Sequence, residues 1–231
     1  MSAGMRTPAP AMRQRPGPCR AMSETARIAG LFPIPMIHAK AALSPEACNV
    51  LLGSTSATPA RINHMSDALS HSEPFTFSGA PPLESAGEVL LSLTARLGEA
   101  LFGETLDWSI KEAWLNRLGP GGEQAMHAHA NSVVSGVLYL RDVHPSARLV
   151  FHRAVGTPEF VLSNFNERTR VTPFNAPRQQ SGPTSAGDVI LFPSYLLHSV
   201  PRNDGGERVS IAFNAIPDRL ETWGYQLRFA P

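Results

Sequence analysis

The second half of the sequence is a succession of short strand-like runs, and turn signals separate them. The runs are DWSIKEAWLNRL, SVVSGVLYL, RLVFHRA, DVILFPSYLLHSV, ERVSIAFN and WGYQLRF. Glycine-rich turns stand at 119–122 and 203–206. Many strands at close intervals, preceded by helices, predict a mainly β chain: an antiparallel barrel or sandwich with helices on one outer face.

The first half predicts the flanking helices. Ser44 and Pro45 are typical of an N-cap and first helical residue, for a short helix through Leu52. A longer helix is expected from about 84 to 102, because its leucines recur at helical spacing. The apolar run LFPIPMIHAKA contains two prolines, which favours an edge strand. Residues 54–84 are rich in Ser, Thr, Pro and Gly and predict a loop-rich passage.

Composition limits the domain organisation and the class of partner. Residues 1–26 are rich in Pro, Arg and small side chains and predict a disordered extension, which leaves 27–231 as a single domain. With 20 basic and 19 acidic residues the net charge is +1, which favours a small-molecule or peptide substrate over nucleic acid or a membrane surface. No apolar run reaches the length of a membrane span. The two cysteines stand far apart, which fits a reducing cytoplasm.

Three histidines have a spacing that suits a metal site. His127 and His129 lie in QAMHAHANS, and His198 ends the apolar run DVILFPSYLLH. Residues i and i+2 of a strand point to the same face, so His127 and His129 can reach one metal together. A barrel can bring His198 to the same place, and imidazole suits iron, zinc, copper or nickel. Histidines at a barrel rim that bind nothing would show the same spacing.

An arginine follows His198 on the next predicted strand. Arg208, Ser210, Ala212 and Asn214 share one face of that strand. An inward guanidinium needs a partner, because an unpaired buried charge is costly. A ligand carboxylate would match its planar set of donors, with the Ser210 hydroxyl adding a hydrogen bond. A structural salt bridge is the alternative.

Two longer runs resemble the signature blocks of a known family, the Fe(II)/2-oxoglutarate oxygenases found in bacteria and phages. They are WLNRLGPGGEQAMHAHANSVVSGVLYL and GDVILFPSYLLHSVPRNDGGERVSIAFN. The resemblance is close over roughly residues 110–215 and loose in the N-terminal third. The positions that fill the family pattern are Trp114, Asn116, Gln124, His127, His129, Ser135, Gly136, Tyr139, Phe192, Pro193, Ser194, His198, Arg208, Ser210 and Asn214.

The resemblance implies a fold and a chemistry. The fold is a double-stranded β-helix, a cupin-like jelly roll, that binds Fe(II), 2-oxoglutarate as co-substrate and O2. The three histidines would be the metal-binding and catalytic residues, and Arg208 and Ser210 would bind the distal carboxylate of 2-oxoglutarate. The wider superfamily has Asp or Glu where this chain has His129, so His129 is either a third neutral ligand or lies beside the metal without binding it. The expected activity is hydroxylation, or a related oxidation, of a C–H bond with formation of succinate and CO2.

Other residues and other functions stay open at the level of sequence. Tyr139 is a further candidate to bind the co-substrate carboxylate, or else a core aromatic. Asn116 and Gln124 either line the pocket or satisfy local backbone groups, and Trp114 is expected in the core. Surface or satisfied polar roles are expected for His144 and His152, whereas His38, His64 and His71 precede the barrel and have no ligand spacing. Two alternative functions are a cupin-like three-histidine metalloenzyme that does not use 2-oxoglutarate, and a non-catalytic binding jelly roll.

Overall fold

Two antiparallel sheets carry most of the strands in the computed structural model, which describes residues 28–55, 60–63, 66–153 and 166–229. Residues 34–231 form one compact unit, whereas the predicted extension 1–26 lies outside the described residues. The strands are β1 (Ile37–Ala39), β2 (Ala60–Asn63), β3 (Ser66–Ser72), β4 (Trp108–Leu118), β5 (Gln124–His127), β6 (Val134–Tyr139), β7 (Val150–His152), β8 (Arg178–Gln180), β9 (Val189–Pro193), β10 (His198–Val200), β11 (Arg208–Pro217), β12 (Arg219–Thr222) and β13 (Tyr225–Arg228). The two α-helices are α1 (Pro45–Thr55) and α2 (Pro81–Phe102).

The order of the strands is that of a jelly roll. The larger sheet has the order β1-β9-β6-β11-β4-β3-β2 and the smaller has β5-β10-β7-β8. From β4 to β11 the chain crosses between the sheets, with β4, β6, β9 and β11 in one and β5, β7, β8 and β10 in the other. Every ladder is antiparallel. The predicted fold class, a mainly β double-stranded β-helix with flanking N-terminal helices, is therefore confirmed.

Both predicted helices are present and pack on the outer face of the larger sheet. The Ser44 hydroxyl caps α1 by accepting a hydrogen bond from the backbone N–H of Ala47 at 3.2 Å. Helix α2 begins at Pro81, three residues before the predicted start, because two prolines can occupy the first helical turn. It ends at Gly103, whose φ of 71° lies in the left-handed region. None of the described helices is long and apolar enough to cross a membrane.

The edge-strand prediction is confirmed, but the loop-rich prediction for 54–84 is wrong in part. Strand β1 lies at one edge of the larger sheet and pairs with β9. Strands β2 and β3 extend the opposite edge, where Leu69 and His71 of β3 pair with Leu118 and Asn116 of β4. The run SDALSHS has little strand propensity of its own, and pairing with the long edge of β4 outweighs that local preference.

The strands of the larger sheet have one face toward the helices and one toward the interior of the roll. On β11, Val209, Ile211 and Phe213 belong to the apolar cluster that packs against the helices. A second apolar cluster, which includes Leu118, Val137 and Tyr139, fills the inside of the roll. Arg208, Ser210 and Asn214 are buried as well. The alternation predicted for β11 therefore places its polar side chains inside the roll.

Candidate metal and co-substrate site

Three histidine rings converge at one end of the roll. Side-chain atoms of His127, His129 and His198 that can bind a metal all lie within 4.8 Å of one another. His127 and His198 are direct partners across β5 and β10, and their ring centroids are 4.2 Å apart. The predicted clustering of the three side chains is thus present in the structure.

His129 reaches the cluster by a different route from the one expected. Strand β5 ends at His127, so the two histidines do not share a strand face. The backbone N–H of His129 instead donates to the carbonyl of Ser194 at 3.0 Å, which ties the residues after β5 to the turn after β9. This long-range contact, rather than strand alternation, places the ring of His129 at 5.1 Å from that of His127.

Backbone carbonyls fix the tautomer of two of the rings. Nδ1 of His127 lies 2.8 Å from the carbonyl oxygen of Ala125, and Nδ1 of His198 lies 2.8 Å from that of Leu196. A carbonyl only accepts, so Nδ1 carries the hydrogen and Nε2 keeps its lone pair for a metal. Burial lowers the pKa of His198 to about 3 and that of His129 to about 4, which holds both rings in the neutral, metal-binding form at neutral pH.

A row of polar side chains crosses the larger sheet next to this cluster. Ser210 pairs with Tyr139 on one side and with Asn116 on the other, and Asn116 pairs with His71. Direct partners in an antiparallel sheet project to the same face, so the four side chains follow one line across β6, β11, β4 and β3. Nδ1 of His71 lies 2.6 Å from Oδ1 of Asn116.

Arg208 lies beside this row with its hydrogen-bonding capacity largely unused. It is 5% exposed, and its Nη1 donates to the Ser210 hydroxyl at 3.1 Å. Its Nε has no partner, and among the described residues no carboxylate pairs with it. The salt-bridge alternative thus has no support within the part of the chain that the structure describes.

Tyr139 lies against Arg208. Cζ of Arg208 is 5.0 Å from the centroid of the Tyr139 ring, and among the described residues the buried hydroxyl of Tyr139 has no hydrogen-bond acceptor. Burial raises the pKa of Tyr139, so the phenol stays protonated and available as a donor. A buried cation and a buried hydroxyl, both short of acceptors, fit a carboxylate ligand.

A cavity joins the histidines to Arg208. The volume of this cavity is about 90 Å³. Its lining includes all but one of the predicted site residues: Asn116, His127, His129, His198, Arg208 and Ser210. Trp114, expected in the core, also lines it, as does Gln124. Tyr139 is the exception and lies under Arg208.

His71 is the cavity residue that sequence reasoning missed. It precedes the barrel and has no ligand spacing in the sequence, yet it lines the cavity together with Leu69 from the same strand. The alternation of Leu69 and His71 in SDALSHS was the available signal, but the low strand propensity of the run hid it. His38, His144 and His152 are not among the cavity residues, and His64 lies outside the described residues.

The donor set fits the cofactors of a non-haem iron oxygenase. Neutral imidazoles suit Fe(II), and a buried, unpaired guanidinium suits the carboxylate of a 2-oxo acid. The fold and the site together describe a jelly roll with a histidine cluster that could hold a metal and a buried arginine that could bind an anion inside the roll.

Residues 112–214 match the model of a family described as "Putative 2OG-Fe(II) oxygenase". This segment contains the three histidines, Arg208 and most of the jelly roll, so this part of the chain resembles a family of oxidoreductases that use Fe(II), 2-oxoglutarate and O2. The family predicted from the two sequence blocks is therefore confirmed. No curated protein sequence matches the chain.

Solved structures share the fold at low sequence identity. HygX from Streptomyces hygroscopicus, with nickel and 2-oxoglutarate bound, superposes with a TM-score of 0.58 at 12% identity and covers 80% of this chain and 83% of its own. A 2OG-Fe(II) oxygenase-family oxidoreductase from Burkholderia pseudomallei gives 0.53 at 17% identity, covering 78% and 83%. A prolyl-4-hydroxylase from Pseudomonas putida gives 0.53 at 17% identity, covering 78% and 92%. At these identities the likeness concerns the fold alone.

Proposed function

We propose that this chain is a dioxygenase that uses Fe(II) and 2-oxoglutarate to hydroxylate, or otherwise oxidise, a C–H bond of a small-molecule or peptide substrate. Residues 27–231 would form the single oxygenase domain, acting in the cytoplasm. In this proposal His127, His129 and His198 hold the metal. Arg208, Ser210, Tyr139 and Asn116 bind the co-substrate. When bound, the metal and 2-oxoglutarate supply the oxidising chemistry, in which the 2-oxo acid is converted to succinate and CO2.

The observation that carries the proposal is Arg208. A guanidinium that is 5% exposed, lacks a carboxylate partner among the described residues and faces a cavity shared with three histidines is costly unless a ligand completes it. Its planar donors match a carboxylate, and the unpartnered Tyr139 hydroxyl adds a further donor. These donors would fix one end of the co-substrate, and the histidines would act at the other.

The chain's own residues perform three tasks in the proposed reaction. His127 and His198 present Nε2 lone pairs because backbone carbonyls hold their Nδ1 hydrogens. Arg208 and Ser210 orient the co-substrate within the roll, which reduces the number of arrangements in which it can react. Apolar residues such as Val137 and Phe192 line the cavity between the two ends and limit the access of water.

The substrate is proposed only by class. HygX has been crystallised with hygromycin B bound, which supports a small-molecule substrate. The net charge of +1 gives no reason to expect a polyanion. A small molecule or a peptide side chain therefore remains the proposed substrate class.

The proposal is tested by calorimetric titration of 2-oxoglutarate into the protein loaded anaerobically with Ni(II), which prevents turnover. We expect Arg208→Gln to weaken 2-oxoglutarate at least about 30-fold, because truncating one partner of a buried charge pair costs roughly 2–5 kcal/mol. The matched control is Arg202→Gln, since the side chain of Arg202 is 71% exposed and is not a cavity residue.

The outcomes separate the candidate functions. Unchanged 2-oxoglutarate affinity in Arg208→Gln, with metal binding intact, would favour the three-histidine metalloenzyme that does not use 2-oxoglutarate. Failure of the wild type to bind any divalent metal would favour a non-catalytic jelly roll. Loss of metal binding in His198→Ala, but not in His152→Ala from the neighbouring strand, would assign the metal to the histidine cluster.

A further inference from the structure

Behind the histidine cluster lies a chain of hydrogen bonds that ends on His129. Asn214 on β11 pairs directly with Ser135 on β6 and with Glu112 on β4. The Ser135 hydroxyl donates to Oδ1 of Asn214 at 2.8 Å, and Nδ2 of Asn214 donates to Oε1 of Glu112 at 2.8 Å. The same Nδ2 lies 3.4 Å from Nδ1 of His129. This second polar row crosses the sheet four residues along β11 from the row that contains Ser210.

The partners of Asn214 determine which way its amide faces. The carboxylate of Glu112 only accepts hydrogen bonds, and the hydrogen bond from Asn214 is the largest of the effects that lower its pKa. Glu112 therefore requires the NH2 group of Asn214 on its side. Ser135 can donate to the remaining oxygen of the amide, since the Ser194 hydroxyl lies 2.9 Å from Ser135 and can donate to it in turn. Turning the amide over would place its oxygen against a carboxylate.

With this orientation, His129 differs from the other two histidines. His127 and His198 face carbonyl oxygens with Nδ1 and so carry the hydrogen there. His129 faces an NH2 group with Nδ1, so its Nδ1 accepts and the hydrogen of the neutral ring lies on Nε2. Asn214 is 3% exposed and Ser135 is 2% exposed, so both residues are held within the packed interior of the roll.

We propose that Asn214, held by Glu112 and Ser135, is a positioning residue that competes with the metal for His129. This inference rests on the metal site of the proposed function. If the metal binds Nδ1, the hydrogen bond from Asn214 is lost. If it binds Nε2, the ring hydrogen moves to Nδ1 and meets the NH2 group of Asn214. In both cases ligation by His129 opposes this hydrogen-bond chain, whereas ligation by His127 and His198 leaves their carbonyl contacts intact. His129 is therefore the weakest and most readily replaced of the three ligands.

The first test reads the tautomers in the metal-free protein. Long-range 15N–1H correlation spectra of the full chain, labelled at histidine and treated with a chelator, should show His129 with its hydrogen on Nε2 and His127 and His198 with theirs on Nδ1. The double substitution Glu112→Gln and Asn214→Asp reverses the hydrogen bonds while keeping the net charge and nearly the same shapes. It should move the His129 hydrogen to Nδ1. A wild-type His129 hydrogen on Nδ1 would overturn the proposal.

The second test measures Co(II) affinity by anaerobic titration of its visible absorption bands. His127→Ala and His198→Ala should each lose at least 100-fold in affinity, and His129→Ala less than tenfold. The double substitution Glu112→Gln and Asn214→Asp should bind Co(II) at least tenfold more tightly than wild type, and adding His129→Ala should remove that gain. Equal losses in all three single variants would refute the proposed competition.

These two tests separate the inference from the proposed function. A wild-type protein that binds no metal would contradict the proposed metal site, and the tautomer spectra would still decide whether Asn214 donates to His129. A wild-type protein that binds Co(II) with three equal histidines would retain the oxygenase proposal and reject the role of Asn214. Circular dichroism of every variant identifies those that fail to fold. In that case Ser135→Ala, which removes the donor to Asn214 together with the hydrogen-bond partner of the Ser194 hydroxyl, replaces the double variant in the tautomer spectra and should shift the His129 hydrogen partly toward Nδ1.

Discussion

Substituting Tyr139 by Phe should weaken 2-oxoglutarate binding without destabilising the protein. Tyr139 is fully buried, and its hydroxyl has no hydrogen-bond acceptor within the part of the chain that the structure describes. An unpaired buried hydroxyl costs roughly 1–3 kcal/mol. Tyr139→Phe removes that hydroxyl and keeps the aromatic ring against Arg208. The free energy of unfolding should therefore be unchanged or rise by up to about 2 kcal/mol.

The same substitution should be costly once the co-substrate is present. A hydrogen bond to a charged carboxylate is worth roughly 1.5–3 kcal/mol, which corresponds to about a 10- to 150-fold loss of affinity. Urea denaturation of the ligand-free protein measures the first effect. Calorimetric titration of 2-oxoglutarate into the Ni(II)-loaded protein measures the second. Tyr225→Phe is the control, because Tyr225 is 61% exposed and should change neither quantity.

The opposite pair of results would refute this reasoning. If Tyr139→Phe loses more than about 1 kcal/mol of stability and keeps its affinity for 2-oxoglutarate, the hydroxyl has an internal partner and Tyr139 is only a core aromatic. The same outcome would leave Arg208 without its neighbouring donor, and the carboxylate site would then depend on Arg208 and Ser210 alone.

Two further predictions concern the frame of the site and the space within it. Asp188→Asn should cost about 2–3 kcal/mol, because the Asp188 carboxylate, 4% exposed, accepts from Lys40 at 2.7 Å. Burial opposes ionisation, but hydrogen bonds from Lys40 and two backbone N–H groups hold the pKa of Asp188 below its ordinary value. The stabilisation by ionised Asp188 is present above the unfolded pKa of about 3.9 and is lost as pH falls through the lower pKa of the folded state. Urea denaturation at pH 2–7 should therefore show that the free energy of unfolding falls less steeply toward low pH in the variant than in the wild type. Ala212→Leu should fill the cavity, which Ala212 lines together with Ser210 and the three histidines. It should abolish 2-oxoglutarate binding in calorimetry and leave Co(II) affinity within about threefold (~0.7 kcal/mol), and equal loss of both ligands would contradict this account.

Much of the fold was predictable because local pattern and tertiary structure agree in the second half of the chain. On β11 the alternation of Val209, Ile211 and Phe213 with polar residues is set by the side-chain period of a strand, so both faces could be assigned before any contact was known. The helices were predictable for the same reason, since Ser44 and Pro45 are local signals for the start of α1. Strand β3 was not predictable from local pattern, because the edge of β4 determines its structure.

The positions of the site residues were predictable where each position follows from the residue's own strand. His127, His198 and Arg208 all lie at an end of a strand, and the spacing of the sequence indicated each of them. The position of His129 depends on a backbone hydrogen bond to Ser194, which lies more than sixty residues further along the chain. His71 belongs to the site only because β3 pairs with β4. Contacts of this kind between distant segments leave no mark on local periodicity.

The arrangement of polar side chains inside the roll would allow one jelly roll to hold the two ligands of the proposed function. Along β11 a polar row centred on Ser210 is followed by the small residue Ala212 and then by a polar row centred on Asn214. Residues two apart on a strand share a face at a rise of about 3.3 Å per residue, so the rows lie roughly 13 Å apart with the cavity between them. In the proposed function the first row and Arg208 would provide donors for a carboxylate, whereas the second row would orient His129. The spacing along β11 therefore sets the distance between the two polar rows, and a change of register by one residue would turn both rows away from the cavity.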